Sequence, residues 1–111
     1  MNSLYTVSWT KTARSDLLQI VKYLNAHSPA GAVSVFRVIK EKATELNEFA
    51  ERARLVPELQ CQGLFQYREL IISHWRLIYK IIGQSVCVLA VLDSRRNLED
   101  ILLQRLLGVE A

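Results

Sequence analysis

The chain has 111 residues, 50% of them hydrophobic and 23% charged, with a formal net charge of +3. This length and composition exclude a disordered chain and predict one globular domain over residues 1–111. The mild positive charge helps an encounter with an acidic partner but does not identify one.

The N-terminal sequence and the cysteines indicate a cellular compartment. "MNSLYTVSWTK" lacks the pattern of a signal peptide, and the longest apolar runs are far shorter than a membrane span. Cys61 and Cys87 are far apart and do not form the paired spacing of a zinc site. We therefore expect a cytoplasmic protein with reduced thiols, without a cofactor, a bound metal or a membrane partner.

The first half of the chain predicts one strand and two helices. "LYTVSW" alternates apolar and polar side chains, which is typical of a half-buried strand. From Thr12 apolar residues recur at helical spacing, with Asp16 expected to face outward. "NAHSPAG" ends this helix and begins a second one over about residues 29–51, with Ser28 as its N-cap and Pro29 at its first position. The short connection predicts a helical hairpin.

The second half of the chain returns to strands after "RARLVPEL". Three extended runs, residues 64–72, 75–82 and 85–92, are separated by two-residue turns, and Gly83 suits a type II′ turn. A helical pattern follows in "NLEDILLQRLLGVEA". The order of elements predicts an α+β fold with an N-terminal strand, a two-helix hairpin, a three-stranded antiparallel meander and a short C-terminal helix. We expect one antiparallel sheet with helices on one face.

Strict alternation across the two turns sorts the meander into two faces. One face is almost wholly apolar and is expected to lie under the helices; Arg68, Ala90 and Leu92 fall on it. The other face, which includes Val91, is expected to be open. Its polar side chains either keep an exposed sheet soluble or form a surface for a partner. They are Tyr67, Glu69, Arg76, Lys80 and Asp93.

Five stretches together carry a resemblance to a known family. They are "VSWTKTARSDLLQIVKYLNAHSPAGA", "RLVPEL", "YRELI", "WRLIYKI" and "VCVLAVLDSRR". In this order and spacing, over about residues 4–107, they resemble the RelE/ParE superfamily of bacterial toxins. The resemblance implies the same small fold and the toxin half of a type II toxin–antitoxin module. It also implies neutralisation by a cognate antitoxin protein, through which the toxin meets operator DNA only indirectly.

The resemblance leaves two activities open, because ParE-like members poison DNA gyrase whereas RelE-like members cut mRNA on the ribosome. RelE-like enzymes are similar in having an arginine at the position of Arg76, a later arginine to which Arg95 or Arg96 corresponds, and lysines on the preceding strand. Here that strand offers Arg68 but also Glu69. RelE-like enzymes also have a Tyr or His near the C-terminus, and residues 97–111 contain neither.

A carboxylate beside a phosphate site repels the substrate, and RNA cleavage needs a general acid and base. We therefore predict a ParE-like toxin that inhibits gyrase by binding rather than an enzyme. One alternative is a ribosome-dependent endoribonuclease acting on mRNA through Arg68, Arg76, Arg95 and Arg96. Another is a degenerate toxin that only binds its antitoxin and regulates its operon. The residues predicted to bind the target or the antitoxin are Tyr67, Glu69, Arg76, Lys80, Arg95, Arg96 and Arg105.

Overall fold

The computed structural model describes the backbone of residues 4–106 and the side chains of all of these except 102, 103 and 106. The predicted α+β fold is confirmed, with an N-terminal strand, a helical hairpin, a meander and a C-terminal helix. The elements in chain order are β1 (Thr6–Trp9), α1 (Lys11–Asn25), α2 (Pro29–Thr44), α3 (Leu46–Phe49), β2 (Arg54–Leu55), α4 (Pro57–Gln60), β3 (Tyr67–Ile72), β4 (Trp75–Ile82), β5 (Ser85–Asp93) and α5 (Leu98–Leu106).

Side-chain caps define the starts of the two hairpin helices. Thr10 Oγ1 accepts a hydrogen bond from Ala13 N at 3.0 Å, and Ser28 Oγ accepts one from Gly31 N at 3.1 Å, as predicted for Ser28. Each such cap stabilises a helix by about 1 kcal/mol. The second helix is shorter than predicted, because α2 ends at Thr44 and a turn separates it from α3. Thr44 Oγ1 donates to Lys40 O at 2.9 Å, a contact that tends to bend helices.

The sheet has five strands in the order β1-β5-β4-β3-β2. The predicted register of the meander is confirmed, since Ile72 pairs with Trp75 and Ile82 with Ser85. Gly83 has a φ of 59°, which the first residue of a type II′ turn requires. The prediction of a wholly antiparallel sheet is wrong, because β1 runs parallel to β5. Alternation in a short strand indicates burial on one side but not the direction of its neighbour.

A β-bulge in β5 reverses the faces of its second half. Ile78 pairs with Ala90 and Tyr79 with Val88, which leaves Leu89 as an extra residue. Beyond the bulge, Val91 packs with α1 and α2, whereas Ala90 and Leu92 lie on the opposite side. Strict alternation placed these three residues on the wrong faces. Every residue of "VCVLAVL" is apolar, so the sequence carries no sign of the inserted residue.

Helices cover both faces of the sheet, and the prediction of an open second face is wrong. The larger core lies between the sheet and α1, α2 and α3. A second core, around Leu59, Ile78 and Leu98, lies where α4 and α5 cover the other face. No periodic pattern predicted α4, because a single helical turn is too short to show periodicity. Within residues 4–106, no helix combines the length and hydrophobicity that crossing a bilayer requires.

Candidate functional site

The face predicted to be open contains a partly buried cluster of alternating charges, which we name the charge network: Arg54, Glu58, Glu69 and Arg76. Arg76 Nε donates to Glu69 Oε1 at 2.6 Å, and its two Nη atoms donate to the two carboxylate oxygens of Glu58 at 2.7 Å each. Arg54 Nε donates to the other oxygen of Glu69 at 2.5 Å. Arg76 is 8% exposed and Glu69 1% exposed.

Four different elements deliver these side chains. Ile71 of β3 pairs with Arg76 of β4, so Glu69, two residues before Ile71, is the diagonal neighbour of Arg76. A long side chain can reach across this distance. β2 pairs Arg54 with Glu69, and α4, which begins at Pro57, carries Glu58 over the sheet. The hydrogen bonds that Arg76 donates to Glu58 lower the pKa of Glu58 and raise the pKa of Arg76. Two cations and two anions therefore balance, and α4 is held to the sheet by charge.

Most of the residues predicted to bind a partner on this face are not exposed. Tyr67 is 7% exposed and packs in the second core, and the half-buried Lys80 lies opposite it. The predicted exposure of Tyr67, Glu69 and Arg76 is therefore wrong. Arg68 lies on the other face, opposite Tyr79, where its Nη1 donates to Ala53 O at 2.6 Å. The arginines of the ribonuclease alternative consequently do not share one face.

Arg95 and Arg96 lie instead at a cleft of about 490 Å³ between α1 and the ends of β4 and β5, which we name the α1–β5 cleft. Tyr23 borders it and is 69% exposed. The cleft joins an apolar lining to a partly aromatic, basic edge, the composition of a surface that receives a partner's side chain. Its apolar residues are Ile20, Leu24, Trp75, Val91 and Leu92, and its polar residues are Asp16, Gln19, Tyr23, His74, Asp93, Arg95 and Arg96.

The two arginines at this edge differ in their partners. Arg95 Nε and Nη2 donate to the two oxygens of Asp93 at 3.1 and 2.8 Å, and hydrogen bonding from Arg95 lowers the pKa of Asp93 to about 2. The Arg95 side chain is 84% exposed, so this pair is screened and weak. Arg96 is exposed and forms no salt bridge with any side chain that the structure describes. The loop thus presents positive charge to solvent.

Arg105 is engaged within the protein rather than free. Its Nη1 and Nη2 donate to the two carboxylate oxygens of Asp16 at 2.8 and 3.0 Å, which joins α5 to α1. Asp16 also accepts from Val91 N at 3.1 Å. β1 pairs with β5 only as far as Val88, so Asp16 replaces the acceptor that a neighbouring strand would supply. The expectation that Asp16 faces outward is wrong, although its position three residues after the buried Ala13 places it on the inner face.

Sequence reasoning missed Glu58, Asp16 and Tyr23 as members of these sites. Glu58 lay in a segment interpreted as a connection, and an exposed aromatic such as Tyr23 has the same helical spacing as a core residue. In the described part of the chain, no group of three or more His, Cys, Asp or Glu side chains is arranged to hold a metal ion.

Comparisons with known proteins agree with the predicted resemblance. The model of the family described as "ParE toxin of type II toxin-antitoxin system, parDE" matches residues 7–98. The solved structure titled "Chromosomal ParDE TA system from P. aeruginosa" is similar to this chain with a TM-score of 0.69 at 18% identity, covering 83% of this chain and 98% of that one. A chain of the toxin–antitoxin complex RelBE2 from Mycobacterium tuberculosis gives a TM-score of 0.54 at 24% identity, covering 81% and 98%.

At these identities the two solved structures establish likeness of fold. A comparison with curated proteins finds no match. The family model, however, extends from β1 to the first residue of α5 and so spans most of the chain. The RelE/ParE resemblance predicted from the sequence is confirmed, and the chain belongs to the family of ParE toxins of type II toxin–antitoxin systems.

Proposed function

We propose that this ParE toxin inhibits DNA gyrase by binding to it in the cytoplasm and that a cognate antitoxin protein neutralises it. Membership of the ParE family supports the toxin role. The two similar structures are of a ParDE system and of a RelBE2 toxin–antitoxin complex, which supports an antitoxin partner here. The observation that supports action by binding, rather than by RNA cleavage, is that two carboxylates bind Arg76.

A ribonuclease requires a cation free to stabilise the charge that develops on the phosphate. The N–H groups of Arg76 donate hydrogen bonds to Glu58 and Glu69, so they are not free for a phosphate. Arg68 lies on the other face of the sheet. His74 lies in the β3–β4 turn, and its ring meets the Trp75 ring edge-on at 5.8 Å. These placements favour binding over RNA cleavage, so the ribosome and mRNA are the less supported partners.

The α1–β5 cleft is the surface that we assign to the target. Trp, Tyr and Arg are the residue types that contribute most to binding energy at protein interfaces, and Tyr23, Trp75, Arg95 and Arg96 supply all three. The apolar lining accepts an aliphatic or aromatic side chain, while Arg95 and Arg96 attract an acidic neighbour on the partner. The exposure of Tyr23 at 69% leaves most of its ring available for such a contact.

Purified toxin added to a gyrase supercoiling assay tests the target. We expect inhibition by the wild-type toxin, and about tenfold or more toxin for half-inhibition after the double change Arg95→Ala and Arg96→Ala, since an interface arginine contributes about 1 kcal/mol or more. The double change Arg37→Ala and Lys42→Ala removes two exposed cations from α2, so it is the matched control and is expected to behave as the wild type.

Other outcomes of this experiment decide between the alternatives. Full gyrase activity at a large excess of folded toxin refutes the gyrase target. In that case, cuts in translated mRNA that disappear with Arg76→Ala identify a ribonuclease. Expression that leaves growth unchanged identifies a degenerate toxin that retains only antitoxin binding.

A further inference from the structure

Glu58 binds Arg76 in the geometry by which arginine binds an oxyanion. Two parallel N–H groups of Arg76 meet two oxygens of the Glu58 carboxylate, both at 2.7 Å. Arginine uses the same two-pronged contact for carboxylate and for phosphate. The Glu58 carboxylate therefore stands where two phosphate oxygens would bind.

The two carboxylates of the charge network differ in how they are held. The Glu69 side chain is fully buried, belongs to the sheet and contacts Arg54 as well as Arg76. The Glu58 side chain is 33% exposed and comes from α4, a helix of one turn. Glu58 thus lies on the side of Arg76 that solvent reaches, and it is the partner that an anion from solution would have to replace.

We propose that Glu58 is a specificity-determining residue: it occupies an anion site at Arg76 from within the chain and so excludes the phosphates of nucleic acids from this face of the toxin. The lowered pKa of Glu58 is consistent with this role, because it keeps the carboxylate ionised. The site's ligand class is an oxyanion, of which inorganic phosphate is the simplest member.

The charge balance of the network explains why Glu58 alone is enough to exclude phosphate. With Glu58 present the charge network contains two cations and two anions, so an approaching phosphate meets no net attraction. Without the Glu58 carboxylate, Arg54 and Arg76 face Glu69 alone and leave one positive charge in excess. Removal of Glu58 also frees one N–H group on each Nη atom of Arg76, while Nη2 keeps its contact with Glu69 Oε1 at 2.6 Å. Such N–H groups of a charged side chain are strong donors.

The test compares phosphate binding by Glu58→Ala, Glu58→Gln and a matched control. Glu99→Gln removes a carboxylate that contacts Gln62 at 3.0 Å and does not touch Arg76, so it changes the net charge equally. Thermal unfolding is followed with increasing inorganic phosphate at constant ionic strength, with chloride as the balancing anion, after circular dichroism confirms that each variant is folded.

We expect the phosphate affinity of Glu58→Ala to exceed that of the wild type and of Glu99→Gln by about tenfold or more. The affinity of Glu58→Gln should exceed that of the same two proteins by about threefold. Adding Arg76→Met to either Glu58 variant should abolish the gain. Glu58→Gln keeps the shape of the side chain, so it tests the proposal even if Glu58→Ala does not fold. A Glu58→Gln protein that binds phosphate no better than Glu99→Gln overturns it. Because this assay contains no gyrase, its result is independent of the proposed target.

Discussion

Replacing Arg76 by methionine removes the arginine of the charge network that touches both of its carboxylates. The methionine fills much of the same volume, so the main effect is electrostatic. Glu69, whose side chain has no exposed surface, then faces only Arg54, whose own side chain is 60% exposed. Glu58 also loses both of its hydrogen bonds to Arg76.

Removing one member of a buried ion pair costs about 3–5 kcal/mol, because the other charge stays buried without compensation. A domain of this size has a free energy of unfolding of about 5–15 kcal/mol, so Arg76→Met is expected to remove about a fifth of it or more. The corresponding fall in Tm is about 10–20 °C. Equilibrium urea unfolding, followed by far-ultraviolet circular dichroism, measures the loss.

The double variant Arg76→Met with Glu69→Leu separates charge from packing. It leaves Glu58 and Arg54, which are both partly exposed and can be solvated, and the charge network then contains no buried charge. We expect it to be more stable than Arg76→Met alone by about 2 kcal/mol, since apolar replacement of a buried pair is often nearly neutral. A loss below 1 kcal/mol for the single variant, or a double variant less stable than the single one, would show that the network is not held as its geometry indicates.

Three further predictions concern other contacts. Asp16→Asn weakens the pairing with Arg105, so we expect faster amide hydrogen exchange in α5 and a loss of about 1–3 kcal/mol, and unchanged exchange in α5 would contradict this role of Asp16. Tyr79→Phe removes the hydrogen bond from the buried Tyr79 hydroxyl to Ala50 O and is expected to cost about 1–2 kcal/mol in urea unfolding. Burial raises the pKa of Tyr79 to about 12 from 10.0. The contribution of the neutral Tyr79 hydroxyl to stability is therefore complete below pH 10 and is lost as the pH rises towards 12. Tyr79→Phe should not show this loss. The pKa of Asp93, lowered to about 2 by Arg95, should return towards 3.8 in Arg95→Ala when followed by NMR; in the wild type its contribution to stability is present above pH 4 and is lost as the pH falls towards 2.

Features that depend on neighbours in the sequence could be predicted. The cap at Ser28, the helical hairpin and the two turns of the meander follow from a few adjacent residues each, and the register of β3 and β4 follows from the length of their turn. The parallel direction of β1, the bulge at Leu89 and the position of α4 depend on contacts between distant segments. No local pattern indicated them, and these three features decide which side chains are covered.

The candidate site shows the same division. Sequence reasoning placed Arg95 and Arg96 on a surface, and the structure exposes both at the α1–β5 cleft. It also placed Glu69 and Arg76 together on one face, and they do contact each other. It could not foresee that Glu58, eleven residues before Glu69, would close that face. Proximity within a hairpin is therefore predictable from register, whereas exposure requires knowledge of the third element that packs over it.

Three of the five stretches that carried the resemblance to the toxin family build the charge network. "RLVPEL" supplies Arg54 and Glu58, "YRELI" supplies Glu69, and "WRLIYKI" supplies Arg76. Their common task in this structure is to hold α4 against the sheet, which is a property of the fold. Likeness in these stretches is accordingly an argument about architecture, and the activity has to be argued from residues outside them. We propose that those residues lie at the α1–β5 cleft, where Tyr23, Arg95 and Arg96 are exposed and outside the charge network.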